Sequence, residues 1–382
     1  MASRRERSAI TTNHQASERT LPLPLDIIAE ILSRLPIEDI LRCRSVCKTW
    51  YGLTKHRHFF NLQLSQTFYQ APRVILIPKS QNSVFLLDAK QNKVREISLE
   101  NMNRWNLSIM GSCNGLLCMA LDIFPNPVVV CNPITKEHMV LPESATDFHF
   151  FDHHVGLGYD PWTKNYKAVR VYTGTSEFCQ FYVITLGESS WRQLHAPYRV
   201  LCGGTEGPVY CEGALYWIID RVFHIGNEYI LTFDLRDEKF RTISFPPNMR
   251  MPRYNPDWYD GNLQLLNLAG CITLVQDECR LMHVWRVTGN GDSGFSVLHY
   301  TCDMCVRWNV FSRPVLIGML SQDSFLLEVS KFGMHWERDL VQYFPQRKQY
   351  SNLQIHGLPV WFRSSCFKPN LVSPVDASLF GL

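Results

Sequence analysis

No apolar run in this chain approaches the roughly 20 residues needed to cross a bilayer as a helix, so a membrane-spanning protein is not expected. Arg4, Arg5 and Arg7 are followed by no apolar stretch before Leu21, so a secretory signal is missing as well. The chain also lacks charge of one sign. Its 38 basic and 35 acidic residues are interspersed and leave a net charge of +3, without the lysine and arginine stripe that tracks phosphates, so no nucleic-acid partner is expected. Catalytic signatures are missing too: there is no GxSxG, no Walker loop and no HExxH. Gly156-Leu157-Gly158 lacks the third glycine and the strand-to-helix setting of a dinucleotide site, so its glycines are read as packing positions. Cys302-Asp303-Met304-Cys305, with His299 nearby, has the spacing of one zinc knuckle but no second ligand pair, and is read as two strand-end thiols. His149, His153 and His154 are read as loop surface or packing, and Asp237-Glu238 as solvated turn charge. Neither a metal nor a cofactor is expected. The setting expected is intracellular, cytoplasmic and/or nuclear.

Apolar side chains are plentiful, with hydrophobic residues at 46% and aromatics at 12%, enough to offset the entropy of ordering most of the chain. Thirteen cysteines are an odd number in a long chain without an export signal, so reduced, packed thiols are expected. Residues 1–20 are polar and are expected to be disordered. From Leu21 the pattern becomes helical. Ile27, Ile28, Ile31, Leu32 and Leu35 recur at three- and four-residue spacing between Pro24 and Pro36, which predicts a helix of about three turns. Glu38 and Asp39 open a second short helix, and Ser45 is the expected N-cap of a third, whose Val46, Trp50 and Leu53 share a face. The segment 21–64 is smaller than usually folds alone, and its three short helices cannot hide all these side chains among themselves. Some of its surface needs a partner.

From about residue 72 the chain changes to short β-branched and aromatic runs separated by turn residues. Four segments share a strand, tight polar turn, strand plan: 128–142, 156–171, 182–197 and 230–246. Turns such as Asn132-Pro133-Ile134-Thr135 and Asp160-Pro161-Trp162-Thr163 have a mechanism, because the Asx side chain bonds amides two residues on while proline fixes φ. The plan recurs more loosely at 282–287 and 340–356. Strand-rich units of about 40 to 50 residues over some 300 residues suit a β-propeller of six or seven blades, with a β-sandwich array as the alternative.

Two resemblances sharpen this reading. LPLDIIAEILSRLPIEDILRCRSVCKTWYGL, residues 23–53, resembles an F-box through Leu23-Pro24, the run from Glu30 to Pro36 and Val46-Cys47-Lys48-Thr49-Trp50. Residues 105–360 resemble the plant F-box-associated domains, through GSCNGLLC at 111–118, NPIT before Leu141-Pro142, GLGYDPWTKNYKAVRV, Ser190-Trp191-Arg192, Gly213-Ala214-Leu215-Tyr216-Trp217 and FDLRDEKFRTISFP at 233–246. Asn165 and Ala168 depart from that family's pattern, and the likeness blurs after about residue 290. The fold expected is therefore α+β: a tail at 1–20, a three-helix F-box at 21–64, a connecting segment with first strands at 65–104, and an all-β domain at 105–382 forming a degenerate, kelch-like six- or seven-bladed propeller.

The F-box resemblance implies docking on a Skp-type adaptor and, through it, on a cullin–RING complex, with a protein target held by the β-rich domain. It assigns Leu23, Pro24, Ile28, Leu32, Leu35, Pro36, Leu41, Val46 and Trp50 either to the adaptor contact or to the core supporting it. The chain would then be a non-catalytic subunit of a ubiquitin ligase. A propeller enzyme or sugar-binding module with a helical cap, and a scaffold that binds the adaptor without ligase work, stay open as alternatives. Target-facing candidates are the loops around Phe148-His149-Phe150-Phe151, Arg250 to Arg253 and Trp258-Tyr259.

Overall fold

The computed structural model describes residues 23–67 and 73–378, apart from 79–82, 89–92, 101–106, 122–126, 145–151, 174–176, 202–206, 221–227, 245–262, 278–280, 288–294, 304–313, 322 and 332–333. It forms two compact units, one ending at Leu62 and one beginning at Gln63.

Proline sets the first two helix starts. Pro24 caps α1 (Leu25–Ser33) and Pro36 caps α2 (Ile37–Cys43). In each, the prolyl carbonyl accepts the first intrahelical hydrogen bonds, while the absent proline N–H leaves no orphan donor. Helix α1 ends at Ser33, earlier than Leu35, because Ser33 Oγ turns back to donate to Glu30 O at 2.9 Å and Arg34 falls into the cap. The third helix, α3 (Lys48–Leu53), starts later than expected. Cys47, not Ser45, is its N-cap, its sulfur accepting from Trp50 N at 3.4 Å, and Ser45 Oγ donates instead to Arg42 O at 2.7 Å. A fourth helix, α4 (Arg57–Thr67), extends the three predicted. The α2 and α3 ends are joined by Arg44, whose Nε donates to Thr54 Oγ1 at 3.2 Å and Nη2 to Thr54 O at 3.1 Å.

The second unit is a six-bladed propeller of four-stranded antiparallel sheets. One blade contains β1 (Arg73–Pro78), β2 (Ser83–Asp88) and β3 (Lys93–Ser98). The next two are β4 (Ser108–Cys113), β5 (Leu116–Ala120), β6 (Val128–Asn132) and β7 (Glu137–Val140), then β8 (Asp152–Asp160), β9 (Asn165–Thr173), β10 (Gln180–Thr185) and β11 (Arg192–Leu194). They are followed by β12 (Val209–Cys211), β13 (Ala214–Ile218), β14 (Glu228–Asp234) and β15 (Lys239–Ser244), and by β16 (Leu263–Leu268), β17 (Cys271–Asp277), β18 (Leu281–Val287) and β19 (Phe295–Asp303). The last full set is β20 (Val315–Ser321), β21 (Ser324–Lys331), β22 (Met334–Phe344) and β23 (Gln349–Asn352). The ring closes when β24 (Phe362–Phe367) pairs with β1, from Arg73 opposite Phe367 to Pro78 opposite Phe362, and completes the blade begun at the other end of the domain.

Runs such as Val128-Val129-Val130-Cys131 read as continuously apolar because both faces of a blade are covered by its neighbours. Val129 and Cys131 pack with Ile75, Leu86 and Phe367 across one seam, while Val169, Phe181 and Val183 pack with Leu215, Trp217 and Phe233 across another. Burial pushes the Cys118 and Cys131 thiols up to about 12, as expected of cysteines that pack as small hydrophobes. The two glycines of Gly156-Leu157-Gly158 serve this packing. A Cβ on Gly158 would stand 2.4 Å from Leu235 Cδ1, and one on Gly156 2.5 Å from Pro208 Cγ.

The tight turns follow one plan. Asn132 Oδ1 accepts from Ile134 N at 2.8 Å, Asp160 Oδ1 from Trp162 N at 2.9 Å, and Asp234 Oδ1 from Arg236 N at 2.9 Å. Four residues after each of these stands a residue with positive φ: Lys136, Lys164 and Glu238. Asn132, fully buried, does more: its Nδ2 donates to Asn370 O at 3.0 Å and Val372 O at 2.8 Å, fastening the segment that follows β24. Glu238 corrects the expectation of a merely solvated turn carboxylate. Arg192 reaches it through Nη1 and Nη2 at 2.7 and 2.9 Å and Lys167 Nζ at 2.7 Å, so that three elements from two blades meet on one side chain.

Replacing Asn132 by alanine strips Asn370 O and Val372 O of their donor, and is expected to cost about 2–4 kcal/mol, read from the urea midpoint of the full chain. A second expectation concerns pH. Hydrogen bonds from Arg192, then from Lys167, hold the Glu238 carboxyl at about 2, below its ordinary 4.5. A carboxyl depressed in the folded state adds stability that is complete above the unfolded value and fades as pH falls from about 4.5 towards 2. Glu238→Gln should therefore lower stability at neutral pH by about 1 kcal/mol after solvent screening, and the gap from the natural chain should close on acidification through that window.

Candidate functional site

Small helical units bury apolar side chains with difficulty, and here the shortfall is visible. Eleven large apolar side chains stand exposed among the described residues, and six of them belong to the helical unit: Leu23, Leu25, Ile27, Ile31, Val46 and Tyr51, each between 46% and 64% exposed. Helical geometry explains the division. Ile28 and Leu32 lie one turn apart on α1 and are buried, together with Ala29. Ile27 and Ile31, also one turn apart but rotated by about 100°, form the adjoining stripe and face solvent. Amphipathicity alone would place a polar stripe there.

The nine residues singled out from the sequence sort accordingly. Ile28 and Leu32 are core. Leu23, Pro24, Pro36 and Val46 are exposed, and Leu35, Leu41 and Trp50 are half-buried. Leu25, Ile27, Ile31 and Tyr51 join the exposed set without having been among the nine. Their signal was in the sequence, as apolar residues next to, not on, the buried stripe, but periodicity cannot say which of two neighbouring stripes is covered. The polar flank of α1 is ordinary, with Arg34 Nη2 pairing to Glu30 at 2.7 Å in solvent.

The propeller has two unlike faces. Innermost strands β4, β8, β12, β16 and β20 turn into their neighbours through connections of a few residues, such as 114–115, 161–164, 212–213 and 269–270. Because strands alternate in direction, the hairpins β6 to β7, β14 to β15 and β22 to β23 fall on that same face. So do Arg73 and Phe367, where the chain enters and leaves the ring. At the opposite face the outermost strand of each blade ends and the innermost strand of the next begins, and the sequences between them are long: 99–107, 141–151, 195–208, 245–262, 304–314 and 353–361. The loops proposed for target contact, around residues 148–151, 250–253 and 258–259, belong to these connections and lie outside the described residues. Cys305 and His149 also lie outside them. His154 is buried on β8, and no group of three potential metal ligands occurs among the described residues.

Comparison with known proteins agrees with this division of the chain. Residues 21–62 match the family described as F-box domain, and residues 64–373 match the F-box associated beta propeller domain. Among similar Arabidopsis thaliana proteins are F-box protein At3g07870, 28% identical over 90% of this chain and 89% of that protein, and F-box protein At5g18160, 26% identical over 91% and 85%. F-box protein DOR is 27% identical, over 94% of this chain and 95% of its own length. Among solved structures, an oligogalacturonate lyase in complex with manganese overlays with a TM-score of 0.39 at 6% identity, over 72% of this chain and 71% of that one, a likeness that carries nothing about chemistry. An F-box implies binding of a Skp1-type adaptor, and the pairing of that domain with a propeller is the general plan of a substrate-recognition subunit. With both domains matched in order over nearly the whole length, the chain belongs to the F-box proteins that carry an F-box-associated β-propeller.

Proposed function

We propose that the chain is the target-recruiting subunit of a Skp–cullin–F-box ubiquitin ligase. The helical unit docks on a Skp-type adaptor and through it on a cullin–RING complex, while the long connections of the propeller hold a protein target. The subunit supplies no reacting group. It raises the rate of ubiquitin transfer by keeping the target beside the charged enzyme, which is a proximity effect. It works in the cytoplasm and/or the nucleus.

The observation that carries this reading is the exposed apolar stripe of Ile27 and Ile31 on α1, in a unit that also leaves Leu23, Leu25, Val46 and Tyr51 exposed and is too small to cover them all. Such an excess of exposed apolar side chains is what an obligate protein partner buries, and the same unit keeps two exposed ion pairs, Glu30 with Arg34 and Asp39 with Arg42, of the kind found at interface rims. For the target, long connections on one face of a rigid ring are the usual place for variable recognition.

Exposure decides which substitutions test the adaptor contact cleanly. Ile27→Asp with Ile31→Asp should leave the far-UV circular dichroism unchanged and weaken capture of a purified Skp-type adaptor by at least about thirtyfold, as removal of central anchors does. Undiminished capture would overturn the reading. Ile28→Ala acts on the core instead and should destabilise the helical unit by about 2–5 kcal/mol, seen as a lower melting temperature of the adaptor-free chain.

A further inference from the structure

Helix α3 is the least covered element of the helical unit. None of its six residues is buried, and Lys48, Thr49, Tyr51 and Gly52 are exposed. Gly52 is the least expected of them. A glycine inside a helix is less stable than alanine, and is kept where a positive φ or a close neighbour demands it. Neither applies to Gly52. Its φ is not positive, and a Cβ built on it would meet no atom beyond its own helix within 4 Å among the described residues. Folding therefore gives no reason for the bare backbone at this position.

The face that carries Gly52 is basic. Lys48, Gly52 and Lys55 follow one another at helical spacing, because the turn continues past Leu53, with Lys55 N donating to Gly52 O and His56 N to Leu53 O, each at 3.1 Å. Tyr51 lies on the same side, its ring centre 5.0 Å from Lys55 Nζ. No aspartate or glutamate stands between Asp39 and Asp88 in the sequence, so neither α3 nor α4 carries a carboxylate. The acids of the four helices, Asp26, Glu30, Glu38 and Asp39, all lie on α1 and the first turn of α2, where Glu30 and Asp39 pair with Arg34 and Arg42. Two ammonium groups thus bracket an uncovered glycine on a helix without a negative charge.

We propose that Lys48, Tyr51, Gly52 and Lys55 form a second contact of the helical unit with its Skp-type adaptor, taking an acidic segment of the adaptor whose backbone lies against Gly52 while its carboxylates meet the two lysines. The inference rests on the adaptor reading above and adds to it the chemistry of the partner surface. Bilayers and nucleic acids are held by denser basic clusters. A glycine notch between two lysines is matched instead by a polypeptide that packs closely and carries spaced carboxylates. Tyr51 belongs both to this face and to the exposed apolar set, so the contact joins charge to burial.

The test uses the full-length chain and a purified Skp-type adaptor, with association followed by biolayer interferometry. Lys48→Glu with Lys55→Glu should slow association at least about tenfold at low salt, a gap that narrows as salt is raised. Gly52→Ala should weaken capture about tenfold while raising the melting temperature of the free chain, two opposite signs that no folding defect produces. Exposed Lys93 and Lys239 on the propeller supply the charge control, and Lys93→Glu with Lys239→Glu should bind like the natural chain. Association unchanged by the Lys48 and Lys55 reversals, an equal slowing by the propeller control, or undiminished capture by Gly52→Ala overturns the inference. The chain with Ile27→Asp and Ile31→Asp, run alongside, separates two failures. If it alone loses the adaptor, the adaptor reading stands and this face falls; if the natural chain captures none, both fall.

Discussion

Everything in the β-rich unit depends on one pairing, that of β24 with β1. Each blade is a small sheet with two apolar faces, and a linear row of such sheets would leave two of those faces, and the edge of the innermost strand, in water. Pairing Arg73 with Phe367 through to Pro78 with Phe362 turns the row into a ring in which every face has a neighbour. The contact is among the most non-local in the chain, so its loop-closure entropy must be offset by local reinforcement. Asn132 supplies some of it, holding the residues after β24 against a hairpin more than two hundred positions earlier. Closure also has a topological consequence: the chain must enter and leave on the same face, which frees the other for long connections.

How much of this was legible in the sequence follows from how local each signal is. The hairpins at Asn132, Asp160 and Asp234 were readable because an Asx side chain bonds amides two residues away and needs nothing else. Blade number was not, since it depends on β24 joining β1, and no local pattern in Phe362-Arg363-Ser364-Ser365-Cys366-Phe367 says which strand it will meet. Glu238 was misread for the same reason. Its neighbours in sequence are turn residues, whereas the groups that depress its pKa, Arg192 and Lys167, come from another blade. The start of α3 failed on chemistry of a different kind, because serine is the better cap in general but Ser45 was already engaged with Arg42 O.

The β14 to β15 hairpin shows how one turn plan can serve unrelated ends. Asp234 fixes the backbone, Glu238 at its positive-φ position ties two blades together, and Arg236 between them is left over for solvent. The first two roles are structural and constrain the residue types. The third is unconstrained by the fold, and that is where the stacked pair with Trp162 occurs. The same logic holds for the Phe344 to Lys348 turn, where positive φ at Lys348 is kept although the Asx residue has been replaced by phenylalanine. Backbone geometry survives there without the side chain that elsewhere enforces it, which is why the repeat blurs in sequence before it blurs in structure.

Helix α1 carries the sharpest conflict between stability and function. With nine residues it has room for two apolar stripes, and it spends one, Ile28 and Leu32, on its own core. Making Ile27 and Ile31 polar would improve solubility and cost the fold little, since neither is covered. Folding does not account for their presence, whereas the proposed docking does: a unit of this size gains from a partner the burial it cannot provide for itself. In the proposed docking, the exposed stripe is the one the adaptor covers and the buried stripe its support, so that the two halves of a single short helix would divide the labour that larger interfaces distribute over separate elements.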